Sequence, residues 1–194
     1  TGKVTIETEG VKTFVEDATE DEKALKDITI NELTPDVLKG GSIKLKLSGN
    51  WKFTKEGNVT FLNEDGVSAK AELIDDDEIQ IDFIDKDFTA NMLTDMTISG
   101  VTVKTAKKCK AGDVATITVS SMASSKEFSN VKLEVAKMVK EAVTYSVEDK
   151  DLPQIWAGAY NDDTNTLKLS IEENTGDILN TSRKATFTFP EGIE

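Results

Sequence analysis

The chain has 194 residues, of which 38% are hydrophobic and 30% are charged, and its formal net charge is -13. This balance is typical of a folded globular protein, and the length suffices for one large or two smaller β domains. An acidic surface repels the phosphates of nucleic acids and of anionic lipids, so the charge argues against both partners. The sequence has no histidine, which removes the most common general base and metal ligand.

The cysteine content and the length of the apolar segments argue against a disulfide-bonded fold and against a membrane-spanning helix. The single cysteine, Cys109, excludes an intrachain disulfide, and we interpret it as a small, partly buried residue near a strand end. No histidine is present to activate its thiol as a nucleophile. No apolar run approaches the roughly 20 residues that a membrane helix needs. The chain starts at Thr1 without an initiator methionine, so we expect a fragment whose signal and anchor lie elsewhere.

Short runs of alternating apolar and polar residues dominate the sequence and predict β-strands. In chain order, these runs are residues 4–7, 28–31, 43–48, 79–84, 96–98, 101–103, 114–119, 131–135, 167–172 and 186–189. Turn signals rich in Gly, Asn and Asp separate them. Many short strands at this spacing predict an all-β fold, an immunoglobulin-like β-sandwich with apolar inner faces.

Helical patterns are short. Residues 21–26 predict one or two helical turns, and residues 87–93 predict another turn. Thr34 and Pro35 fit the N-cap and the first position of a helix, and Gly40 fits its end. The segment between them is therefore predicted to be a tight turn or a single helical turn.

An internal repeat is the strongest feature of the sequence. Residues 27–52 return as residues 168–194, with one extra residue in the second copy. The aligned pairs include Ile28 with Leu169, Ile30 with Ile171, Glu32 with Glu173, Thr34 with Thr175, Asp36 with Asp177 and Leu38 with Leu179. Upstream, residues 4–7 resemble residues 131–134, and residues 15–17 resemble residues 147–149. Shared strand composition is the alternative explanation, but the same Thr-x-Asp-apolar-Leu pattern at the same offset favours a true repeat.

The repeat predicts β-sandwich modules in tandem. The first module is predicted to span residues 1–139, and residues 140–194 to be the opening part of a second, incomplete module. Residues 1–12 are interpreted either as part of the first module or as the last strand of a preceding one. Residues 152–164 have no counterpart in the first copy and are interpreted as a longer loop.

The order of these segments resembles modules of Gram-positive surface-layer-type proteins. A D-I-T-I-x-E strand is followed by a turn with an apolar residue and Leu, a pair of small residues, and an alternating strand. Residues 27–32, 37–38, 45–53 and 168–194 carry this loose pattern. Such modules are found beside surface-layer-homology anchors or copper-amine-oxidase-like domains. The resemblance implies a cell-wall or surface-layer location and a structural or adhesive role, and no enzymatic activity carries over.

Acidic loops are the candidate metal sites, because several carboxylates in one loop suit the hard cation Ca²⁺. The candidate ligands are Asp75, Asp76, Asp77, Glu148, Asp149, Asp151, Asp162 and Asp163. None of these loops has the spacing of an EF-hand. Three of the residues lie near the predicted module boundary, where a cation would reduce repulsion between modules. Ordinary solvated acidic loops are the alternative interpretation.

Two aromatic residues in the unmatched loop, Trp156 and Tyr160, are the candidate ligand-binding residues. An exposed aromatic pair can stack on a sugar, although packing against a neighbouring module is the alternative. Trp51 aligns with Ile193 in the repeat and is therefore interpreted as a core or strand-end residue.

No catalytic motif is present. The sequence contains no nucleophile elbow, phosphate-binding loop or metalloprotease motif, and 36 acidic residues make chance carboxylate pairs inevitable. We therefore predict a non-catalytic structural module of an extracellular bacterial cell-surface or surface-layer protein, with no cofactor other than possible Ca²⁺. Its expected partners are neighbouring modules of the same protein, further copies through self-assembly, or cell-wall polysaccharide. A carbohydrate- or host-binding adhesin module is the alternative.

Overall fold

The structure is a computed structural model of the chain. It describes residues 3–16, 22–39, 41–62, 68–83, 91–105, 109–122, 128–140, 142–147, 168–174, 179 and 184–188. Contacts divide the chain into two compact units, Thr1–Lys140 (unit 1) and Glu141–Glu194 (unit 2). Across the described ranges, the regular structure consists of strands, and no helix is long and apolar enough to cross a bilayer.

Thirteen strands in the described part of unit 1 form three sheets. In the first sheet, the neighbouring strands are, in order, β1 (Val4–Thr8), β4 (Ile28–Glu32), β10 (Asp95–Ser99) and β7 (Asn58–Phe61). In the second, they are β3 (Glu22–Ala24), β11 (Thr102–Thr105) and β6 (Trp51–Lys55). In the third, they are β2 (Lys12–Val15), β13 (Val131–Val139), β12 (Val114–Ser121), β5 (Ser42–Leu47), β9 (Glu78–Phe83) and β8 (Ala69–Asp75).

The buried faces of these sheets meet in one hydrophobic core. On β5, Ile43, Leu45 and Leu47 are buried, whereas the lysines between them face outward. This is the arrangement that period-two alternation dictates in a strand with one covered face. Each buried Val, Leu or Ile side chain contributes about 1.5–3 kcal/mol relative to an exposed one. The prediction of an all-β, sandwich-like fold is confirmed.

The first segment of the chain joins two sheets. β1 pairs antiparallel with β4, with Val4 opposite Glu32. β2 then pairs in parallel with β13, with Val15 opposite Val139, and the backbone N–H of Glu16 donates to the Val139 carbonyl at 2.8 Å. Residues 4–12 therefore belong to unit 1, and the second strand of this unit, β2, lies beside its last strand, β13.

One of the predicted helical segments is a strand, the segment after Thr34 takes the turn alternative, and the third lies mostly outside the described residues. The prediction of a helix at residues 21–26 is wrong, because β3 pairs with β11 there and Leu25 donates its N–H to the Val101 carbonyl at 2.8 Å. Pairing with a neighbouring strand outweighs the weak helix propensity of this segment. Residues 33–39 form turns and bends without helix. Residues 87–90 lie outside the described residues.

Unit 2 has two strands in its described part, β14 (Val143–Ser146) and β15 (Ser170–Glu173). They pair antiparallel, with Val143 opposite Glu173 and Tyr145 opposite Ile171. The strand predicted at residues 186–189 is not formed over 186–188. The corresponding strand of unit 1, β5, lies between β12 and β9, and the described residues of unit 2 supply no such neighbours.

Candidate functional sites

Glu32 ends β4, and its buried carboxylate connects two loops. Its Oε1 accepts a hydrogen bond from the backbone N–H of Leu38 at 2.7 Å, and Oε2 accepts one from that of Thr94 at 2.8 Å. The N–H of Glu32 donates to the Thr94 carbonyl at 3.0 Å. A carboxylate can be buried when hydrogen bonds replace its water, and bonds to a charged acceptor are the stronger kind. We call this set of bonds, made by Glu32, Leu38 and Thr94, the loop clamp.

A second carboxylate reinforces the connection. Both side-chain oxygens of Asp36 lie 3.2 Å from the backbone nitrogen of Asn91, whose N–H they accept. Asp36 and Asn91 have φ angles of 64° and 62°, in the left-handed region that Asp and Asn tolerate better than most residues. The repeated residues Glu32, Asp36 and Leu38 therefore hold the loop after β4 in place.

Unit 2 contains the same local arrangement. The Glu173 carboxylate accepts a hydrogen bond from the N–H of Leu179, at the six-residue spacing that separates Glu32 from Leu38. Asn174 donates its N–H to the Ala142 carbonyl at 2.9 Å, just as Leu33 donates to Lys3 at 2.8 Å in unit 1. The start of unit 2 thus reproduces the pairing and the loop contact of β1 and β4.

The upstream half of the predicted repeat has a different register. Val143, Thr144 and Tyr145 of β14 occupy the positions that Val4, Thr5 and Ile6 occupy in β1. Residues 131–134, which the sequence comparison aligned with β1, belong to β13 of unit 1 and pair with β12. That alignment is wrong, because β13 shares with β1 only an alternating composition.

Residues 75–78 connect β8 to β9, and we call them the acidic turn. Of the predicted calcium ligands, Asp75, Asp76 and Asp77 lie in this turn and within the described residues. Its carboxylates contact three lysines. The Lys46 Nζ lies 2.8 Å from Asp77 Oδ1 and 3.4 Å from Glu78 Oε2. The Lys44 Nζ lies 2.8 Å from Glu78 Oε1, and Lys52 forms an ion pair with Asp76. The alternation of β5 places Lys44 and Lys46 on the outer face, beside β9.

These ion pairs shift the pKa values of the residues that form them. The hydrogen bond from Lys52 lowers the pKa of Asp76, and that from Lys44 lowers the pKa of Glu78. The hydrogen bond to Asp77 raises the pKa of Lys46. Because the pairs are solvated, each contributes little to stability. Together they neutralise charge along one end of the third sheet.

The calcium prediction stays a prediction. Asp76 and Asp77, two of the three candidate ligands in the acidic turn, already contact ammonium groups. Over the described ranges, no group of three or more Asp, Glu or Cys side chains is arranged to hold a metal ion. The remaining calcium candidates lie outside the described residues: Glu148, Asp149, Asp151, Asp162 and Asp163. Trp156 and Tyr160 also lie outside the described residues.

Two further residues have structural roles. Trp51 is buried in β6 and packs edge-on against Phe14, with 4.8 Å between the ring centroids. Cys109 is partly buried, and its thiol donates to the Asn50 carbonyl at 3.2 Å. The role of Glu32 was not predicted, although a charged residue that continues the buried positions Ile28 and Ile30 was the available signal.

Comparison with known proteins finds solved structures of low similarity, with TM-scores below 0.5. No family model matches the chain, and no curated protein is significantly similar to it. The collagen-binding subdomain of the Enterococcus faecalis surface protein ACE has a TM-score of 0.39 at 11% identity, over 72% of this chain and 98% of its own. A type III cohesin module from the cell-surface anchoring scaffoldin ScaE of Ruminococcus flavefaciens has a TM-score of 0.44 at 11% identity, over 72% and 88%. BcpA, the major pilin subunit of Bacillus cereus, has a TM-score of 0.44 at 10% identity, over 89% and 56%.

Proposed function

We propose that the chain is a non-catalytic, load-bearing module of a bacterial cell-surface protein. The parallel pairing of β2 with β13 carries this proposal. β2 lies near the start of unit 1, and β13 is its last strand. Tension at the start of the unit passes through β1, which pairs with β4, before it reaches β2, and β2 is the direct neighbour of the last strand.

This arrangement determines how the unit responds to force. Tension on its two ends pulls β2 and β13 in opposite directions along their common axis. Such a pull shears the hydrogen bonds between them together, including the bond from Glu16 to Val139. Each bond contributes only about 0.5–1.5 kcal/mol to stability, but bonds loaded together must break together. A unit with this pairing resists extension along the chain.

The start of unit 2 supports repetition of the module. The same strand pairing and the same contact between a carboxylate and the following loop occur in both units. The location outside the cell, at the cell wall or surface layer, rests on the resemblance to Gram-positive surface-layer-type modules. The proposed partners are neighbouring modules, further copies of the protein or cell-wall polysaccharide.

Single-molecule force spectroscopy tests the proposal. We expect unit 1, stretched from its ends within the full chain, to unfold at a higher force than when it is pulled across the strands. The substitution Glu16→Pro removes the N–H that bonds to Val139 and should lower the force of end-to-end unfolding. Glu32→Gln is the control, because it weakens the fold away from the β2–β13 pair.

Two results would contradict the proposal. One is an end-to-end unfolding force that Glu16→Pro leaves unchanged while Glu32→Gln lowers it. The other is saturable binding of the full chain to a glycan or host protein that Trp156→Ala and Tyr160→Ala abolish. The second result would favour the adhesin alternative.

A further inference from the structure

The end of β13, where the chain leaves unit 1, is held on both of its edges. On one edge, the backbone N–H of Glu16 donates to the Val139 carbonyl at 2.8 Å. On the other, Gly112 donates its N–H to the Met138 carbonyl at 3.0 Å, and Met138 donates its own to the Asp113 carbonyl at 2.8 Å. Consecutive residues of a strand direct their backbone groups to opposite edges, so the two sets of bonds do not compete.

The partner on the second edge is a tight turn of residues 110–113. The Asp113 N–H donates to the Lys110 carbonyl at 2.9 Å, and the Asp113 carboxylate accepts the N–H of Lys110 at 2.9 Å. These two bonds close the turn within itself, and the chain continues from it into β12 at Val114. The turn therefore extends the pairing of β12 with β13 as far as Met138.

The side chain of Glu16 joins the two edges. Its Oε2 atom accepts a hydrogen bond from the backbone N–H of Ala111, in the middle of the turn, at 3.1 Å. Because β2 and β12 lie on opposite sides of β13, this bond spans the end of β13. A hydrogen bond to a charged acceptor is stronger than one between neutral groups. The result is a closed ring of contacts, which we call the exit bracket, formed by Glu16, Ala111, Gly112, Met138 and Val139.

We propose that the exit bracket keeps the end of β13 from peeling off its sheet, and that the Glu16 carboxylate is the group that closes it. A strand that frays from its end loses its hydrogen bonds one at a time, whereas a strand held at that end must lose them together. Tension that leaves unit 1 through Val139 is then shared between β2 and β12. The purpose of the bracket rests on the proposed load-bearing function, but its closure is measured without force.

Substitutions separate the side chain of Glu16 from its backbone. Glu16→Pro removes the N–H that bonds to Val139 and also the carboxylate. Glu16→Ala keeps the N–H, and with it the pairing of β2 with β13, and removes only the bond from Ala111. Glu16→Gln keeps a side-chain oxygen that accepts from Ala111 but removes its charge. The three variants therefore distinguish the bracket from the strand pair.

Hydrogen exchange in the ¹⁵N-labelled full chain tests whether the bracket is closed. Glu16→Ala should speed the exchange of the Ala111 amide, which loses its acceptor, by about tenfold. The amides of Gly112 and Met138, whose own acceptors are unchanged, should exchange faster by a similar factor because the bracket opens as a unit. Glu16→Gln should restore part of the protection. Exchange at Ile117, buried within β12, corrects for any change in global stability.

Glu134→Ala is the matched control, because Glu134 is an exposed carboxylate on β13 itself. It should leave exchange at Gly112 and Met138 as in the wild type. The proposal fails if Glu16→Ala speeds exchange at Ala111 alone. It also fails if Glu134→Ala speeds exchange at Gly112 and Met138 as much as Glu16→Ala does.

Force spectroscopy separates a failure of the bracket from a failure of the load-bearing function. In the full chain stretched from the ends of unit 1, Glu16→Ala should unfold this unit at a force between those of the wild type and Glu16→Pro. If Glu16→Pro lowers the force and Glu16→Ala does not, the load-bearing pair of β2 and β13 stands and the bracket is overturned. If neither lowers the force while exchange at Gly112 and Met138 accelerates, the bracket stands and the load-bearing function is overturned.

Discussion

Glu32 and Leu38 are joined by a 2.7 Å hydrogen bond from a backbone N–H to a buried carboxylate, six residues apart in the chain. The same spacing separates Glu173 and Leu179, which form the equivalent bond. The repeated motif thus has the same role in both units: it anchors the loop that follows β4 in unit 1 and β15 in unit 2. A polar residue serves because the loop has backbone N–H groups that need an acceptor.

We expect Glu32→Gln to destabilise unit 1 by about 2–3 kcal/mol, because hydrogen bonds to charged groups contribute about 1.5–3 kcal/mol each. An amide can accept from only one of the two N–H groups and places a donor against the other. The free energy of unfolding should be measured by urea denaturation, with the fluorescence of buried Trp51 as the probe in a Trp156→Phe background.

Glu7→Gln is the control for this substitution. Glu7 lies on β1 in the same sheet, but its side chain is exposed. Its loss should change the free energy of unfolding by less than about 0.5 kcal/mol, as for most surface substitutions. Equal effects of the two substitutions would contradict the structural role of the loop clamp.

Alternation alone was enough to predict the central strands, because each has one face against the core. On β4 and β5 the apolar residues recur at every second position and are buried. Both strands lie between two other strands of their sheets, so the positions that are buried are those at which the sequence has its alternating pattern. The sandwich class follows from such strands, and so it could be predicted.

Edge strands and sites could not be predicted in this way. β8 is largely exposed at the edge of its sheet and ends at Asp75, the first of three consecutive aspartates, so it lacks a clear apolar face. The acidic turn shows that a binding site, too, could not be predicted from the local sequence. Its carboxylates suggested calcium, but the lysines that contact them come from β5 and β6, more than twenty residues away in the chain. A local sequence pattern cannot indicate a contact with lysines that are so distant in the chain.

Among the glycines that the structure describes in unit 1, Gly57 is expected to be the one that least tolerates a side chain. Its φ is +77°, and an added Cβ would lie 2.4 Å from the Ser99 carbonyl oxygen and 2.8 Å from the Val101 nitrogen. Gly57→Ala therefore combines a left-handed backbone, costing about 1–2 kcal/mol, with a backbone clash, costing about 1–3 kcal/mol.

Gly112→Ala separates the two contributions. Gly112 also has a positive φ, +94°, but an added Cβ would meet no atom within 4 Å. We expect it to cost only the backbone contribution, about 1–2 kcal/mol. Thermal unfolding of both variants measures the difference, and equal losses of stability would show that the approach of Gly57 to the β10–β11 connection is not tight.

The ion pairs of the acidic turn should make stability depend on pH at the acid end. The pKa of Glu78 is lowered from its ordinary value of 4.5, mainly by the hydrogen bond from Lys44. The stabilisation is therefore present above pH 4.5 and is lost as the pH falls through the lower pKa of the folded state. Glu78→Gln should lower the melting temperature slightly at pH 7.

The difference in melting temperature between the wild type and Glu78→Gln should disappear as the pH falls from 4.5 through the lower pKa that Glu78 has in the folded state. Melting temperatures measured from pH 7 down to pH 2 follow this change, and Glu7→Gln corrects for the general effect of removing an acidic group. A difference that persists unchanged at the lowest pH would mean that Glu78 acts through packing and not through its charge.

Calcium binding at the acidic turn should depend on the lysines around it. In the wild-type chain, Lys46 and Lys52 contact Asp77 and Asp76, so a cation must compete with two ammonium groups. We expect the double substitution Lys46→Met and Lys52→Met to strengthen Ca²⁺ binding, since it frees carboxylate oxygens that suit this ion. Melting temperatures with Ca²⁺ and with chelator measure the effect, because saturation at 100 times Kd adds about 2.7 kcal/mol.

A variant with Lys132→Met and Lys137→Met, both exposed on β13, has the same change in net charge and serves as the control. If it responds to Ca²⁺ as strongly as the Lys46 and Lys52 variant, the effect is one of overall charge. If none of the three proteins responds, the prediction of calcium at Asp75, Asp76 and Asp77 is wrong. A response in the wild type that survives Asp76→Asn and Asp77→Asn would instead place the cation at the acidic residues between 148 and 163, because those carboxylates are the remaining predicted ligands.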